Sequence, residues 1–358
     1  MDRRSFLRSS ALVGSAAAGL AAPAYAQDKR TLTMVTTWGR DLVGVHDSAQ
    51  HVADRITEMS GGNLTVEVVA AGERFDAYEV FDAVTSGSAD MYHGADYYFT
   101  DKHPAYAFFT AVPFGLTAQE MLNWYYFDGG MELHDQLGEI FGLKSFLAGN
   151  TGAQAGGWFR TPIDSPEGFD GLRFRMPGLG GEALGRLGAN VLSIPGAGVF
   201  EALSSGAIDG TEWIGPWADE KAGFHKIAKH YYTSGFHEPG AGLSLAMNRA
   251  VFTSLTPAQR AIVKSAALEA HQWTLSRFLS QNGAALQRLR AAGVQLNEFP
   301  PSVWDAFARV STETLDQYMS DRLFAEIRNS VTESVRKSSG WIQRSEGAYR
   351  TQRDRVFG

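Results

Sequence analysis

The first part of the chain alternates between two patterns of apolar residues. Every second residue tends to be apolar in 31–36 and again in 64–69, which is the period of a strand with one buried face. After each of these strands, residues 48–60 and 78–86 carry apolar side chains at helical spacing. Alternating strands and helices predict α/β units on a largely parallel sheet, where ligands bind at the carboxyl ends of the strands.

A ten-residue pattern in the first half returns in the second half. Residues 81–90 (FDAVTSGSAD) and 200–209 (FEALSSGAID) agree in character at almost every position, at a constant offset of 119 residues. Each predicts a helix that ends at a glycine, where positive φ is tolerated, followed by a strand that begins at aspartate. We therefore expect two similarly built lobes facing each other across a cleft. Chance similarity between short segments is the alternative.

Three further apolar runs are expected to connect these lobes. Residues 142–147 and 157–160 are typical of strands that pass between lobes, and residues 241–247 are typical of a strand that returns to the first lobe. The expected fold is therefore α/β with two lobes and hinge strands. The predicted division of the chain is mainly first lobe in 27–150 and 240–300, mainly second lobe in 151–239, and C-terminal helices in 301–358.

Helix-start signals mark the later helices. Thr117 and Thr256 each begin a capping box, and the helix after Thr256 is expected to extend to about Ala292. A long helix over 322–353 ends the chain, with scattered charge and few bulky apolar residues after Ile327. Such a helix buries little against its own lobe. We expect it to pack against a second subunit, giving a homodimer, or to fray.

The N-terminus predicts an export signal. Residues 1–8 (MDRRSFLR) form a twin-arginine region, the small apolar run 11–22 follows, and residues 24–26 (AYA) form a cleavage site. Removal of residues 1–26 takes away three arginines and one aspartate, so the net charge changes from −7 to −9. We expect a mature chain that begins at Gln27 and reaches the periplasm by the twin-arginine pathway.

Composition excludes several classes of function. The chain has 358 residues, too many for one small core, and it contains no cysteine, so disulfides and thiolate chemistry are ruled out. An acidic balance without a basic run argues against nucleic acid as a partner. After the signal, no apolar stretch approaches the length of a transmembrane helix. We expect a globular protein that does not itself span the membrane.

The usual catalytic and metal patterns are missing from the sequence. No G-x-S-x-G elbow is present, and the nine histidines are scattered, with no H-E-x-x-H pattern or clustered His/carboxylate set for zinc. The glycines of 178–181 have neither the Walker lysine nor the dinucleotide spacing. We therefore expect the protein not to be an enzyme.

Two segments carry candidate binding chemistry. In 171–178 (GLRFRMPG), apolar residues alternate with Arg173 and Arg175, so a strand would point both guanidiniums to one side. An arginine held on a strand is a pre-oriented fork for a carboxylate. Further on, 210–216 (GTEWIGP) places Glu212 in a small apolar loop. A cation shared with an anionic ligand would explain this carboxylate. Alternatively, the arginines are surface charges and Glu212 is their salt-bridge partner.

Together with the export signal, several segments resemble a known family. The chain is similar, from about Thr31 to its C-terminus, to the DctP-type extracytoplasmic solute-binding proteins of TRAP (tripartite ATP-independent periplasmic) transporters. The subgroup that binds 2-oxo acids and related hydroxy acids with a metal cation is the most similar. The segments that carry the resemblance are 110–115 (TAVPFG), 154–160 (QAGGWFR), 175–178 (RMPG), 208–216 (IDGTEWIGP) and 237–240 (HEPG).

The resemblance implies a periplasmic protein that captures a small carboxylate and delivers it to the TRAP membrane permease subunits. The ligand would be a 2-oxo acid such as pyruvate or a hydroxy acid such as lactate. By resemblance, Arg175 would clamp the ligand carboxylate, and Tyr98 would donate a hydrogen bond to it. A sodium or calcium ion would bridge protein and ligand. The residues implied around that ion are Gln154, Glu212, the backbone carbonyl of Trp213 and Glu238.

Several alternatives stay open at this point. Residues 74–76 (RFD) and 197–199 (AGV) differ from those of relatives, which leaves the identity of the acid open. The sequence does not decide whether Arg173 or Arg175 faces the ligand. Two other functions fit the same residues: a periplasmic enzyme acting on a small carboxylate, with Glu212 or a histidine as acid or base, and a ligand-sensing subunit of a signalling system.

Overall fold

The structure is a computed structural model that describes residues 29–357. Its strands, in chain order, are β1 (Arg30–Thr36), β2 (Leu64–Val69), β3 (Met91–Gly94), β4 (Leu143–Asn150), β5 (Gly157–Phe159), β6 (Arg173–Arg175), β7 (Asn190–Leu192), β8 (Gly210–Thr211), β9 (His230–Tyr232), β10 (Gly242–Asn248) and β11 (Gln295–Asn297). They form two sheets, and each sheet with its helices is one lobe of the molecule.

Helices cover both sheets and end the chain. In chain order they are α1 (Val45–Met59), α2 (Val80–Thr85), α3 (Ala118–Phe127), α4 (Gly130–Ile140), α5 (Gly178–Gly185), α6 (Gly196–Ser205), α7 (Pro216–Ala222), α8 (Arg249–Ser254), α9 (Pro257–Ala291), α10 (Pro301–Asp316), α11 (Arg322–Ile342) and α12 (Ala348–Phe357). The capping boxes predicted at Thr117 and Thr256 are confirmed at the starts of α3 and α9.

The two sheets share one topology over five strands. The first has the order β2-β1-β3-β10-β4, and the second has β7-β6-β8-β5-β9, with β11 added beyond β9. In each sheet the first three strands are parallel and the fourth, β10 or β5, runs antiparallel to its neighbours. The expectation of a largely parallel sheet is therefore confirmed, with β10 and β5 as the exceptions. Each of them enters its sheet from the other lobe, which reverses its direction.

The repeated ten-residue pattern occupies the same place in each lobe. Helix α2 precedes β3, with Gly87 at φ 81°, and helix α6 precedes β8, with Gly206 at φ 75°. Both glycines adopt the left-handed conformation that other residues rarely take, which is why the helices end there. The prediction of two similarly built units is confirmed.

Two crossing segments join the lobes and are hydrogen-bonded to each other. The first, 151–156, leads from β4 to β5, and the second, 233–241, leads from β9 back to β10. The backbone nitrogen of Gln154 donates to the Glu238 carbonyl at 2.9 Å, which holds the two segments side by side. Residues of both segments therefore lie at the bottom of the cleft between the lobes.

Helix α9 contacts both lobes, and the last helices divide between them. Helix α9 packs on β4 and α1 in the first lobe and on α7 in the second. It leads to β11, which pairs with β9 in the second sheet. The range 240–300, expected to be mainly first lobe, therefore ends in the second lobe, because strand pairing across 65 residues (230 to 295) is not visible in local patterns.

The C-terminal helices pack on their own chain as far as α11. Helix α10 lies on α5 of the second lobe, whereas α11 lies on α3 of the first. In α11 the buried side is formed by Leu323, Phe324, Ile327, Val331 and Ser334. Beyond it, a π-helical segment, Gln343–Gly347, and α12 contain no buried side chain among the described residues. Fraying of the whole terminal segment is therefore not observed, and its last part is exposed.

The described residues bear on whether a helix could cross the membrane, but not on the predicted export signal. The export signal over residues 1–26 lies outside the described residues. Between residues 29 and 357, every helix is too short or too polar to cross a bilayer.

Candidate functional site

Arg175 is the centre of a buried polar cluster in the cleft. It is the last residue of β6, the strand between β7 and β8, and its side chain is fully buried. Its Nε donates to the Ile194 carbonyl at 3.0 Å, and its Nη1 donates to Glu212 Oε1. Nη2 has no hydrogen-bond partner in residues 29–357. The fork expected from the sequence therefore has one free nitrogen in this conformation.

Arg173 lies on the same side of β6 but at its outer end. Its side chain is 48% exposed, and its Nε and Nη2 donate to Asp209 at 2.9 and 2.6 Å. The surface-charge alternative is therefore correct for Arg173. It is wrong for Arg175, although Glu212 is indeed a salt-bridge partner of Arg175.

The charge of Arg175 is maintained despite burial. Burial by itself lowers the pKa of a guanidinium, but the Glu212 carboxylate and the hydroxyls of Tyr98 and Tyr97 act in the opposite direction, and the pKa stays above its usual value. A fixed positive charge that is fully buried needs anionic partners, because isolated charges are costly to remove from water.

Two more polar side chains approach Glu212 from the second crossing segment. The Nε2 of His237 lies 3.4 Å from Glu212 Oε2, and Glu238 follows directly in the chain. One ligand atom of each of these three residues lies within 4.8 Å of the others. All three side chains are buried. The sequence shows no clustered His/carboxylate pattern for zinc, because folding brings this set together from residues about two dozen positions apart.

Glu238 lies in an environment that disfavours its ionised form. Burial, followed by the neighbouring Glu212 carboxylate, raises the pKa of Glu238 well above its usual value, and the charge of Arg175 opposes this only in part. Two carboxyl groups at such a distance in a buried site repel each other when both are ionised. A cation between them would remove that repulsion.

Gln154 adds a neutral oxygen from the first crossing segment. Its Nε2 donates to Thr151 Oγ1 at 3.0 Å, which directs the other amide atom, Oε1, away from Thr151. Unpartnered within the described chain are Oε1 of Gln154, Oε2 of Glu212, Oε2 of Glu238 and both ring nitrogens of His237. Buried polar atoms rarely lack partners in proteins. Carboxylate and amide oxygens are the ligands that sodium and calcium take, so the donor set fits a hard cation.

Tyr98 and Trp213 line a small cavity beside this cluster. Its walls come from both lobes and from Gln154 of the crossing segment. Burial raises the pKa of Tyr98, whereas the charge of Arg175 lowers it, so the hydroxyl is kept as a neutral donor within the field of the arginine. The Trp213 ring centroid lies 5.2 Å from Cζ of Arg175, which places the indole against the guanidinium.

Asp219 fixes the loop that carries Glu212 and Trp213. Its Oδ1 accepts hydrogen bonds from the backbone nitrogens of Ile214 and Gly215, at 3.1 and 3.0 Å. Its Oδ2 accepts from Trp158 Nε1 at 2.9 Å and from a tyrosine hydroxyl. Burial raises the pKa of Asp219 to about 7, although the four donors act against this shift. Sequence reasoning missed both Asp219 and His237; the only local signal was that each stands near a residue already singled out.

A comparison with known families identifies the chain. The model of the DctP family, described as bacterial extracellular solute-binding protein family 7, matches residues 35–321. This chain belongs to the DctP family. The family is one of solute-binding receptors, and the expected resemblance is thereby confirmed.

Relatives of known name and structure agree with this membership. The chain is 37% identical over 317 residues to a monocarboxylate 2-oxoacid-binding periplasmic protein of Nostoc sp., covering 88% of this chain and 87% of the relative. It is 36% identical to a TRAP periplasmic solute-binding protein of Pseudoalteromonas atlantica with bound sodium and pyruvate, with a TM-score of 0.87 over 90% of this chain and 98% of the other.

A third similarity is to a TRAP transporter solute-binding protein of Bordetella bronchiseptica. This structure is a mixed-occupancy dimer with calcium and picolinate in one active site, and it is 29% identical with a TM-score of 0.90, covering 92% of this chain and 98% of the other. The two-lobe α/β fold expected of a DctP protein is confirmed by both structures.

Proposed function

We propose that this DctP protein captures a small 2-oxo acid, such as pyruvate, together with a sodium or calcium ion, and delivers it to the permease of a TRAP transporter. A hydroxy acid such as lactate is the second ligand of this class. The observation that carries the proposal is the buried guanidinium of Arg175, with Nη2 unpartnered in residues 29–357, beside Glu212, Glu238 and Gln154, each with an unpartnered oxygen.

Arg175 and the carboxylates have opposite effects on an anionic ligand. Arg175 attracts the ligand carboxylate through Nη2, whereas Glu212 and Glu238 repel it. A cation held by the glutamate oxygens, by Gln154 Oε1 and by the Trp213 carbonyl reverses that repulsion. Ligand and cation therefore bind better together than either does alone. Tyr98, on the first-lobe wall of the cavity, is assigned as a hydrogen-bond donor to the ligand.

Closure of the cleft follows from where these groups originate. Tyr98 belongs to the first lobe, Arg175 to the second, and Gln154 to a crossing segment between them. A ligand that contacts all three is bound fully only when the lobes are together, so its binding energy favours the closed state. The relatives from Nostoc and Pseudoalteromonas support the choice of a 2-oxo acid.

The decisive experiment compares Arg175→Ala with Arg173→Ala by isothermal titration with pyruvate. We expect Arg175→Ala to weaken binding at least a hundredfold, because the ligand charge would be buried without its main partner. Arg173→Ala should stay within threefold of the unchanged protein, since Arg173 is paired at the surface. Binding by Arg175→Ala within threefold would refute the arginine assignment. Consumption of pyruvate during the titration would instead indicate an enzyme.

The cation is tested by repeating the titration without sodium and with a calcium chelator. We expect weaker pyruvate binding when both cations are removed, and recovery when either is restored. Thermal stability should follow, because a ligand at a hundred times its Kd stabilises the folded state by about 2.7 kcal/mol. Pyruvate binding that does not depend on either cation would refute the bridging ion but not the role of Arg175.

We further propose that the exposed C-terminal helix pairs two copies of the chain. Large apolar side chains are exposed along it: Tyr349 and Phe357 have exposed fractions of 66% and 85%. Such residues are normally covered when they cluster. The dimer of the Bordetella relative supports this arrangement. Light scattering should give a dimer for the unchanged protein and a monomer for a chain that ends at Ile342; equal masses would refute it.

A further inference from the structure

Two cavities meet at one side chain, Trp213. The inner, smaller cavity is the one that Tyr98 and Gln154 line. An outer pocket of about 350 Å³ lies between the 41–43 loop of the first lobe and α6 of the second. Among the described residues that line either space, Trp213 is common to both. Its indole is therefore the partition between the candidate ligand cavity and the outer pocket.

The indole is held in that position from two sides. The Arg175 guanidinium lies over the ring, with Cζ 5.2 Å from the centroid. On the side of the outer pocket, Gly196 approaches the six-membered ring so closely that a Cβ there would lie 2.8 Å from Cζ3 of Trp213 and 3.0 Å from Cδ1 of Leu42. Trp213 itself is only 5% exposed. The guanidinium and the backbone at Gly196 therefore fix the position of the ring between the two cavities.

We propose that the Trp213 side chain sets the upper chain length of the acid that this protein accepts. The inference rests on the proposed function. With the carboxylate at Arg175, the carbon chain of the ligand must lie in the inner cavity, whose walls are mainly apolar. Each methylene that meets a fixed wall changes affinity by about tenfold or more. The role of the Trp213 backbone carbonyl at the cation is separate, because side-chain substitution leaves that carbonyl in the chain.

Two substitutions move the partition in opposite directions. Trp213→Leu shortens the side chain and joins the two cavities, so longer acids gain relative to pyruvate. Gly196→Ala places a methyl group against the indole and presses it toward the inner cavity, so longer acids lose relative to pyruvate. The matched control is Gly185→Ala, since Gly185 lies in helix α5 of the same lobe and a Cβ there would meet nothing within 4 Å.

The test is a titration series of straight-chain 2-oxo acids, from pyruvate to 2-oxohexanoate, against each variant with saturating calcium. The measured quantity is the ratio of the Kd values of 2-oxohexanoate and pyruvate, because a general loss of affinity through the Arg175–Trp213 contact cancels in it. We expect Trp213→Leu to lower this ratio at least tenfold, Gly196→Ala to raise it, and Gly185→Ala to leave it unchanged. In the double variant, Gly196→Ala should have no effect, since the indole is gone.

The outcomes separate this inference from the function on which it rests. If the unchanged protein binds no acid of the series, both fall. If it binds pyruvate and the ratio is the same in Trp213→Leu and Gly196→Ala, the partition is refuted and the proposed function stands. If Trp213→Leu binds nothing, Gly196→Ala decides, because it retains the indole: a raised ratio supports the partition and an unchanged ratio overturns it.

Discussion

The two lobes share one backbone unit and bury opposite chemistry on it. In the first lobe, Asp90 makes two hydrogen bonds with the backbone of Thr33. The Asp90 backbone nitrogen donates to the Thr33 carbonyl, and Asp90 Oδ2 accepts from the Thr33 nitrogen at 2.8 Å. In the second lobe, Asp209 makes the same two hydrogen bonds with the backbone of Arg173, and Asp209 Oδ2 accepts from the Arg173 nitrogen at 3.0 Å. Each aspartate fixes the register of the parallel strands that follow.

From that common register the lobes diverge. Where the first lobe holds Val35 in β1 and His93 in β3, the second holds Arg175 in β6 and Glu212 just after β8. His93 is buried and accepts a hydrogen bond from Trp38 Nε1 at its Nδ1, at 3.0 Å. Its pKa is lowered to about 4 by burial, so the ring is neutral near pH 7.

The difference teaches that the scaffold alone does not create the anion site. One unit, used twice, is filled once with an apolar residue and a neutral ring, and once with a charged pair. A buried charged pair adds little stability compared with apolar packing, because both charges must be desolvated. Its presence in only one of two equivalent positions favours a role in ligand binding over a role in the fold.

The largest expected effect comes from breaking the charged pair without ligand present. Arg175→Met should lower the free energy of unfolding by about 3–5 kcal/mol, because Glu212 would be left buried and unpaired. Adding Glu212→Gln should restore most of that loss, since the second substitution removes the unpaired charge. Urea denaturation of the two variants measures both values. Arg173→Met is the control and should cost less than about 1 kcal/mol. A double variant as unstable as Arg175→Met would contradict this account.

A slightly smaller effect is expected in the first lobe, from pH. The folded-state pKa of His93, about 4, lies below its ordinary value of 6.5, so the unfolded chain binds more protons between these two values. His93 therefore contributes stability at pH 7 that is lost as the pH falls from 6.5 to 4, by about 3 kcal/mol in total.

Urea denaturation at pH 7, 6, 5 and 4 tests the His93 contribution. His93→Gln should flatten the decline but not abolish it. His271, a buried residue of α9 with its pKa also lowered to about 4 by burial, still contributes a loss of the same sign. A variant whose stability falls as steeply as that of the unchanged protein would show that His93 is not the group that titrates.

The smallest effect concerns the part that the lobes have in common. Asp90→Ala and Asp209→Ala should each lower the free energy of unfolding by about 1–2 kcal/mol, because each removes the acceptor for one backbone nitrogen. Asp209→Ala also removes the exposed ion pair with Arg173, which adds less than about 1 kcal/mol. Asp82→Ala is the control: its side chain is 64% exposed and its contact is a surface ion pair with Lys102. Losses that differ by more than about 2 kcal/mol between the two lobes would end the claim of equivalence.

Local sequence signals predicted most of the elements because those signals act locally. The capping boxes at Thr117 and Thr256 act within one helical turn, and the alternating pattern of β1 and β2 depends only on neighbours in the strand. Helix α4 was not predicted, since it begins after Gly129 at φ 91°, with no side-chain cap to announce it. The pairing of β11 with β9 joins segments far apart in sequence and left no local trace.

For the site, the sequence patterns identified the types of residue but not how deeply each side chain is buried. A period of two places Arg173 and Arg175 on one side of the strand, yet one is paired at the surface and the other is buried. Which end of a short strand is covered depends on the opposite lobe, and nothing in residues 171–178 encodes it. His237 joins Glu212 only through the second crossing segment, so its place in the cluster required the folded chain.

Helix α9 spans the hinge and is hydrogen-bonded to both lobes. Thr274 is hydrogen-bonded to Ser48 of the first lobe at 2.7 Å, and Asn282 accepts from the Trp217 backbone nitrogen of the second lobe at 3.1 Å. Thr274 and Asn282 lie only about 12 Å apart along one continuous helix. The opening angle between the lobes is therefore limited. To open the cleft further, α9 must bend or one of these two hydrogen bonds must break.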